Sequence, residues 1–322
     1  MVWLAATGGE QSIADKGSKE LWEKFWDNNY GGFLWSTDLT GQPLDSEKHM
    51  YGQAFAIFAL AKAGKVQDAN WAFQWMDLHA HDEEFGGYFE TCWSDGEPNL
   101  SSEGVDALGT PYGLKSMNTH LHILEALIEL YNVGGDSKVR TRLLEVFELF
   151  RTKFVTPDGK LYYYMTREYA PASDTDSYGH ALETAFLMID AAYYTDVAVE
   201  ETWTLARAIV DRCLELAWDK EFGGFFYEGT FEKGPHDPKK VWWTQAEALN
   251  ALRLMAAQFD EQYQNYYNRL LQFIEQHQID NEHGGWLSSV ERDGTKIPGL
   301  VKSDAWTEGY HQGRAIYLSN LQ

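Results

Sequence analysis

Asp219-Lys220-Glu221-Phe222-Gly223-Gly224-Phe225 reads as a helix stop followed by a tight reversal: an acid, two polar residues, a ring, two glycines and a second ring. The same punctuation stands at Asp27-Asn28-Asn29-Tyr30-Gly31-Gly32-Phe33, at Asp82-Glu83-Glu84-Phe85-Gly86-Gly87-Tyr88 and at Asp280-Asn281-Glu282-His283-Gly284-Gly285-Trp286. A glycine pair reaches the positive φ that stops a helix and turns the chain. Four copies of one punctuation mean one supersecondary unit used several times. A fifth, weaker copy is expected at Thr156-Pro157-Asp158-Gly159-Lys160-Leu161-Tyr162.

Outward from these marks the chain is helical. Apolar residues at i, i+3, i+4 and i+7 predict helices over about 12–27, 48–64, 67–80, 113–133, 137–153, 176–194, 198–217, 240–258, 260–278 and 304–320. Each mark is followed by a short extended piece that ends in turn residues such as Asp95-Gly96 or Asp293-Gly294. Strands so short cannot carry a sheet-based core, so helix must pack on helix. Some helices are apolar or small nearly all round, as in Tyr51-Gly52-Gln53-Ala54-Phe55-Ala56-Ile57-Phe58-Ala59-Leu60-Ala61, while Lys138 to Arg151 is charged on one face. Buried inner helices and half-exposed outer ones are what a two-layer α/α toroid requires. No Pro/Ser-rich linker or charge run divides the chain, so residues 1–322 are expected to form one domain.

Composition narrows the function. The formal net charge of −23 leaves no basic stripe for a phosphate backbone, so nucleic acid is not an expected partner. Aromatic residues make up 15% of the chain, with 13 Trp and 18 Tyr, enough rings both for an inter-helix core and for stacking on sugar faces. Cys92 and Cys213 show no metal-ligand spacing and fit reduced thiols. The start Met1-Val2-Trp3-Leu4-Ala5-Ala6 lacks a signal-peptide pattern, and no apolar run approaches the ~20 residues of a bilayer span, so a cytoplasmic location without membrane partner is expected.

The candidate chemistry lies near the starts of the apolar helices. His180 and Glu183, in Asp176-Ser177-Tyr178-Gly179-His180-Ala181-Leu182-Glu183, share a helical face, and a carboxylate one turn away can fix an imidazole's tautomer and raise its basicity. Lys115 to Ala126 places Asn118, His122 and Glu125 close to one face and turns His120 away; His residues at i and i+2 cannot share a ligand, so zinc is not expected. Trp243 and Glu247 stand at the start of a further helix, and Asp304, Trp306, His311 and Arg314 at the head of the last. Taken singly, each reads first as structural. Imidazoles near the starts of three such helices are harder to assign to packing.

Four ordered segments, Lys115-Ser-Met-Asn-Thr-His-Leu-His, Ser177-Tyr-Gly-His-x-x-Glu183, Lys240-Val-Trp-Trp-x-Gln-Ala-Glu247 and Trp306-x-x-x-Tyr-His-x-Gly-Arg-Ala315, resemble the N-acylglucosamine 2-epimerase superfamily, with closest likeness to cellobiose 2-epimerases and mannose isomerases. The resemblance covers nearly the whole chain. It implies an all-α (α/α)6 barrel with short β-hairpins in its loops and a reaction at C1 and C2 of a reducing sugar, without metal or other cofactor. By the same resemblance His180 and His311 are the acid/base pair, Asn118, His122 and Glu183 are polar pocket residues, Trp243 and Trp306 hold the sugar, and Tyr51 is a pocket tyrosine. Glu247 and Asp304 join the expected substrate-binding set from their positions.

The chemistry fits such an assignment. Taking the C2 proton of an open-chain aldose leaves a cis-enediolate, and returning a proton to the opposite face inverts C2, which needs one base per face; imidazole suits both roles near pH 7. Delivery to C1 instead makes a ketose. Arg314 is a candidate to stabilise the enediolate oxygen. Compared with the family pattern the chain starts late: Val2 to Ala6 reads as the tail of a first inner helix, ten long helices and a stub stand where twelve are needed, and weakened activity is expected. The alternatives are an aldose–ketose isomerase, a catalytically weakened sugar-binding toroid, and a glycoside hydrolase using Glu183 with Glu247 or Asp304. Which sugar is taken, and whether the chain forms a homo-oligomer, stays open at this level.

Overall fold

Ten helices of ten or more residues and a six-residue first helix organise the described part of the chain, which in this computed structural model comprises residues 1–304, 306–307 and 309–319. They are α1 (Val2–Thr7), α2 (Gln11–Phe25), α3 (Met50–Lys62), α4 (Val66–Ala80), α5 (Met117–Asn132), α6 (Ser137–Leu149), α7 (Tyr178–Thr195), α8 (Val199–Leu216), α9 (Trp242–Gln258), α10 (Glu261–Phe273) and α11 (Tyr310–Ser319). Single π-helical turns, Phe150–Phe154 and Ile274–Gln278, follow α6 and α10. The class is all-α, as the sequence reading expects. None of these helices is long and apolar enough to cross a membrane.

The chain divides into two compact units: residues 1–154, 162–173 and 190–197 form the first, and residues 155–161, 174–189 and 198–322 the second. In the first unit α3 packs on α4 and α5, and α5 on α6. In the second unit α9 packs on α8, α10 and α11. The periodicity of the sequence explains which helices are central. α3, α5 and α9 are buried over most of their circumference, whereas α2, α8 and α10 bury a single stripe. Ser116 caps α5, Asp136 caps α6 and Asp260 caps α10, each through a side-chain oxygen that accepts a backbone N–H.

The predicted starts of α3, α5, α7, α9 and α11 are two to six residues too early. The residues just before four of them form short antiparallel strands: β1 (Glu47–His49) with β2 (Thr91–Trp93), β3 (Lys115–Ser116) with β4 (Tyr164–Met165), β5 (Thr175–Ser177) with β6 (Glu228–Thr230) and β7 (Gly234–Asp237), and β8 (Lys240–Val241) with β9 (Ser289–Val290). A strand of two or three residues leaves no periodicity to read, so the helical pattern runs through it.

The Asp-x-x-ring-Gly-Gly-ring copies are the same turn in detail. In each, one Asp oxygen accepts the N–H of residues two and three further on: Asn29 and Tyr30, Glu84 and Phe85, Glu221 and Phe222, Glu282 and His283. All eight glycines of the four pairs take φ between +70° and +81°, where a side chain would be strained. The other Asp oxygen accepts from a lysine that leads into the next helix: Lys48 to Asp27 at 2.8 Å, Lys115 to Asp82 at 2.9 Å, Lys240 to Asp219 at 3.1 Å and Lys302 to Asp280 at 2.9 Å. Five residues after the lysine, Gln53 and Gln245 clasp the peptide of Phe33 and Phe225 by both amide atoms. His120 stands at the same position.

The expected fifth copy is a different turn. Thr156 donates its N–H to Lys160 O and Gly159 donates to Thr156 O, a shorter reversal of the type also found at Trp93–Glu97 and Glu291–Thr295. It has one glycine where the others have a pair and no Asp three positions before the ring. The Asp219 carboxyl, shared by Lys240 and Arg292, is held well below the usual carboxylate range despite its burial. Removing one member of such a buried set leaves the others uncompensated. Asp219→Ala is therefore expected to destabilise the protein by about 3–5 kcal/mol in denaturant unfolding, with a smaller loss for Asp280→Ala, whose Lys302 partner is a third exposed.

Candidate active site

The second unit gathers the strongest constellation. His180 and Glu183 project from the first turns of α7, Trp243 and Glu247 from the first turns of α9, and His311 and Arg314 from the start of α11. His311 Nδ1 lies 2.7 Å from Glu247 Oε1, and Arg314 Nη2 donates to that same oxygen at 2.8 Å. Arg314 Nη2 also donates to Glu183 Oε1, while Nη1 donates to the Tyr310 hydroxyl at 2.6 Å. Asn250 Nδ2 donates to the second Glu247 oxygen at 3.1 Å. The Trp243 ring stands 4.6 Å from the His180 ring and 5.5 Å from the His311 ring, centroid to centroid.

Charge explains why this arrangement holds. Glu183 and Glu247 are fully buried, and one guanidinium lies against both. Burial alone raises a carboxyl, but Arg314 and His311 outweigh it and hold Glu247 down at about 2. An ionised Glu247 accepts from Nδ1–H of His311, which leaves Nε2 of that ring as the proton acceptor. His180 has a different partner: its Nδ1 lies 2.7 Å from the Ser177 hydroxyl, which either donates or accepts. The two imidazoles thus have unlike supports, a carboxylate and a hydroxyl.

In the first unit the expected pocket residues also meet. Tyr51 and Phe55 of α3 and His122 of α5 form a ring cluster, with centroids 4.9 Å apart for Tyr51 and His122 and 4.6 Å for Phe55 and His122. Glu125 Oε2 lies 3.2 Å from His122 Nδ1. Asn118 stands one turn before His122, and its Oδ1 is buried without a hydrogen-bond partner. His120 is structural, as its turned-away position implied: Nδ1 donates to Ser116 O, Nε2 accepts from Tyr88 N, and burial drives its pKa down to about 3.

Among the described residues two sets have donor atoms close enough to suggest a cation site: His49, Glu90 and Asp106 in the first unit, and Glu183, Glu247 and His311 in the second. Both are already compensated. His49 Nδ1 accepts from Tyr51 N and its Nε2 faces Asp106 at 2.9 Å, so neither nitrogen is left for an ion. Glu90 accepts from Ser116 N and Oγ, and burial pushes it up to about 7. In the second unit Arg314 supplies the positive charge.

Asp304 is exposed, and its Oδ1 accepts the N–H of Trp306 and Thr307 and the Thr307 hydroxyl, so it caps its own turn instead of joining the histidines. Trp306 is 52% exposed in the same loop. Arg314, a sequence candidate for an enediolate oxygen, has its guanidinium on Glu183, Glu247 and Tyr310. Sequence reasoning missed Ser177 and Asn250; each lies three residues from a candidate, a spacing that pairs side chains at a helix start and on a helix face.

A fold of this kind carrying two supported imidazoles on helix starts belongs with the helical carbohydrate epimerases and isomerases. The chain is a member of the N-acylglucosamine 2-epimerase (GlcNAc 2-epimerase) family, whose model matches residues 4–315. It is 28% identical over 320 residues to a cellobiose 2-epimerase of Bacteroides fragilis, covering 94% of this chain and 79% of the relative. It is 26% identical over 311 residues to a D-mannose isomerase of Marinomonas mediterranea, covering 89% and 74%. The solved structure of cellobiose 2-epimerase from Spirochaeta thermophila superposes with a TM-score of 0.87 at 28% identity, covering 98% of this chain and 82% of that one. The (α/α) barrel class expected from the resemblance is therefore the fold class of this chain, and the protein is a carbohydrate isomerase.

Glu247→Gln tests the support of His311. The amide keeps the shape but loses the charge that selects Nδ1–H, so the Nδ1–H tautomer of His311 is expected to lose its dominance in 15N-detected imidazole spectra. His180, whose Nδ1 partner is Ser177, should keep its pattern.

Proposed function

We propose that the protein is a sugar 2-epimerase acting on a reducing-end aldose of the cellobiose, glucose or mannose type. The observation that carries this is the pair of imidazoles, His180 and His311, flanking one indole within the second unit, each with Nδ1 engaged so that Nε2 is the working atom. An indole suits the apolar face of a sugar ring or chain. Names among the relatives, cellobiose 2-epimerase and D-mannose isomerase, agree on chemistry at C1 and C2 of an aldose.

In the proposed cycle Nε2 of one neutral histidine takes the C2 proton, and the C2–H electron pair moves to form the C1–C2 double bond as the C1 carbonyl becomes an enediolate oxygen. The other histidine, protonated, returns a proton from its Nε2 to the opposite face of C2, and the C1 carbonyl re-forms. Both roles belong to imidazole near neutral pH. After turnover the two rings have exchanged protonation states, and proton exchange with water resets them for the next forward turnover. In both states Nδ1–H of His180 donates to the Ser177 hydroxyl and Nδ1–H of His311 donates to the Glu247 carboxylate, so only Nε2 changes its proton.

The isomerase alternative keeps the same residues and delivers the proton to C1. The hydrolase alternative does not fit the carboxylates. A glycosidase needs one of them protonated, whereas Glu247 is held at about 2 and Glu183 is paired with the same guanidinium.

The test is proton NMR of mannose, glucose and cellobiose, each incubated with the protein in D2O. Deuterium at C2 together with the epimer is the expected result; ketose alone would move the assignment to isomerase, and no reaction with any aldose would remove it. His180→Asn and His311→Asn are each expected to lower kcat by about 10²–10⁴-fold while leaving sugar binding measurable by calorimetry.

A further inference from the structure

Gly179 precedes His180, and nothing in the proposed cycle gives it a role. It lies in the first turn of α7, a poor place for glycine by helix propensity. Its φ is not in the left-handed region, so backbone freedom is not the reason for it. Space is. A Cβ at this position would come within 2.4 and 2.5 Å of Cζ3 and Cη2 of Trp243 and within 2.8 Å of Thr244 Oγ1. Trp243 and Thr244 are buried, so neither swings aside into solvent.

The repeat shows what is unusual here. Three residues after the entry position stand Tyr51 after Lys48, Asn118 after Lys115 and Trp243 after Lys240, all with side chains in the candidate pocket set; the sequence has Ala305 after Lys302 and, alone in lacking any side chain, Gly179 after Asp176. The Trp243 ring fills the place that α7's own side chain would occupy, between His180 at 4.6 Å and His311 at 5.5 Å, with Tyr227 edge-on at 6.1 Å.

We propose that Gly179 is a positioning residue: by lacking a side chain it lets the Trp243 indole wedge against α7 and so sets the spacing of the two imidazoles. This rests on the two-histidine reading above. Inversion at C2 requires both rings to reach the same carbon from opposite faces. Exchange of the C2 proton with solvent requires only one. A displaced Trp243 should therefore harm epimer formation more than exchange.

The experiment introduces Gly179→Ala into the native chain and into a background carrying Trp243→Phe and Thr244→Ala, which removes the clashing atoms. Rates of C2 deuterium entry and of epimer formation are followed in D2O with mannose, glucose and cellobiose. In the native background Gly179→Ala is expected to lower epimer formation at least tenfold and to raise the ratio of exchange to epimerisation; in the relieved background it should change either rate less than twofold. Equal harm in both backgrounds, harm in neither, or a proportional fall of both rates would overturn the proposal. Should Gly179→Ala be insoluble, recovery of soluble protein in the triple variant reads the same coupling, and failure to recover it overturns the coupling. If the native protein turns over no sugar, the functional reading fails by itself and the positioning claim is read separately from the NMR shift of His180 Cε1–H. That resonance is expected to move on Gly179→Ala when Trp243 is present and to hold when it is absent, and a resonance that never moves overturns the claim.

Discussion

A carboxylate that accepts from two backbone amides on one side and a lysine on the other, buried in three copies and partly buried at Asp27, is the interaction on which the rest of this structure depends. Asp27, Asp82, Asp219 and Asp280 each fix a glycine turn at the end of one helix and, through Lys48, Lys115, Lys240 and Lys302, the entry to another. Burying such a pair costs desolvation that the Coulombic attraction only partly offsets. Hydrogen bonding makes up the rest: each lysine also donates to a carbonyl, Gly86, Gly224 and Gly284 in three cases and Ser94 in the fourth. Burial still lowers Lys240 to about 8, with Asp219 opposing the fall. What the clamp contributes is register, because it settles where each buried helix begins.

Register is what the site needs. Residues three, four and seven positions after the clamp residue share a helix face, so a fixed entry delivers Trp243 and Glu247 after Lys240, and Asn118 and His122 after Lys115, at set depths. The polar residues so delivered are buried, and each demands a partner. In the second unit a single arginine answers two carboxylates, and one of those carboxylates orients His311. The site is thus held by the same kind of compensated charge as the scaffold.

The sequence made much of this legible because glycine pairs and helical periodicity are local signals. Four turns, ten long helices and the grouping of His180, Glu183, Trp243, Glu247 and His311 could be anticipated from spacing and resemblance. The strands that precede the helices could not, since two or three paired residues leave no pattern. Nor could the lysine clamps, because Lys48 and Asp27 are 21 residues apart and only the fold brings them together. His120 shows the converse: helical spacing already turned it away from the candidate face, and its place in the repeat, where Gln53 and Gln245 stand, gives it a contact with the turn peptide of Tyr88. Asp304 shows a related ambiguity, since an acid ahead of a helix caps its own loop, as its contacts with Trp306 and Thr307 show.

Helix α7, which carries His180, departs from the scheme. Its clamp position holds Asp176 where the others hold lysine, and the turn before it is the short Thr156 reversal, whose Asp158 accepts from the Thr156 hydroxyl within the turn itself. The charge is inverted instead: Asp176 takes both terminal nitrogens of Arg212 from α8, at 3.0 and 2.6 Å. The helix keeps its anchored entry, Ser177 is left beside the anchor to meet His180, and Gly179 leaves room for the Trp243 indole. The changed clamp and the Ser177–His180 contact thus lie in one short stretch at the head of α7.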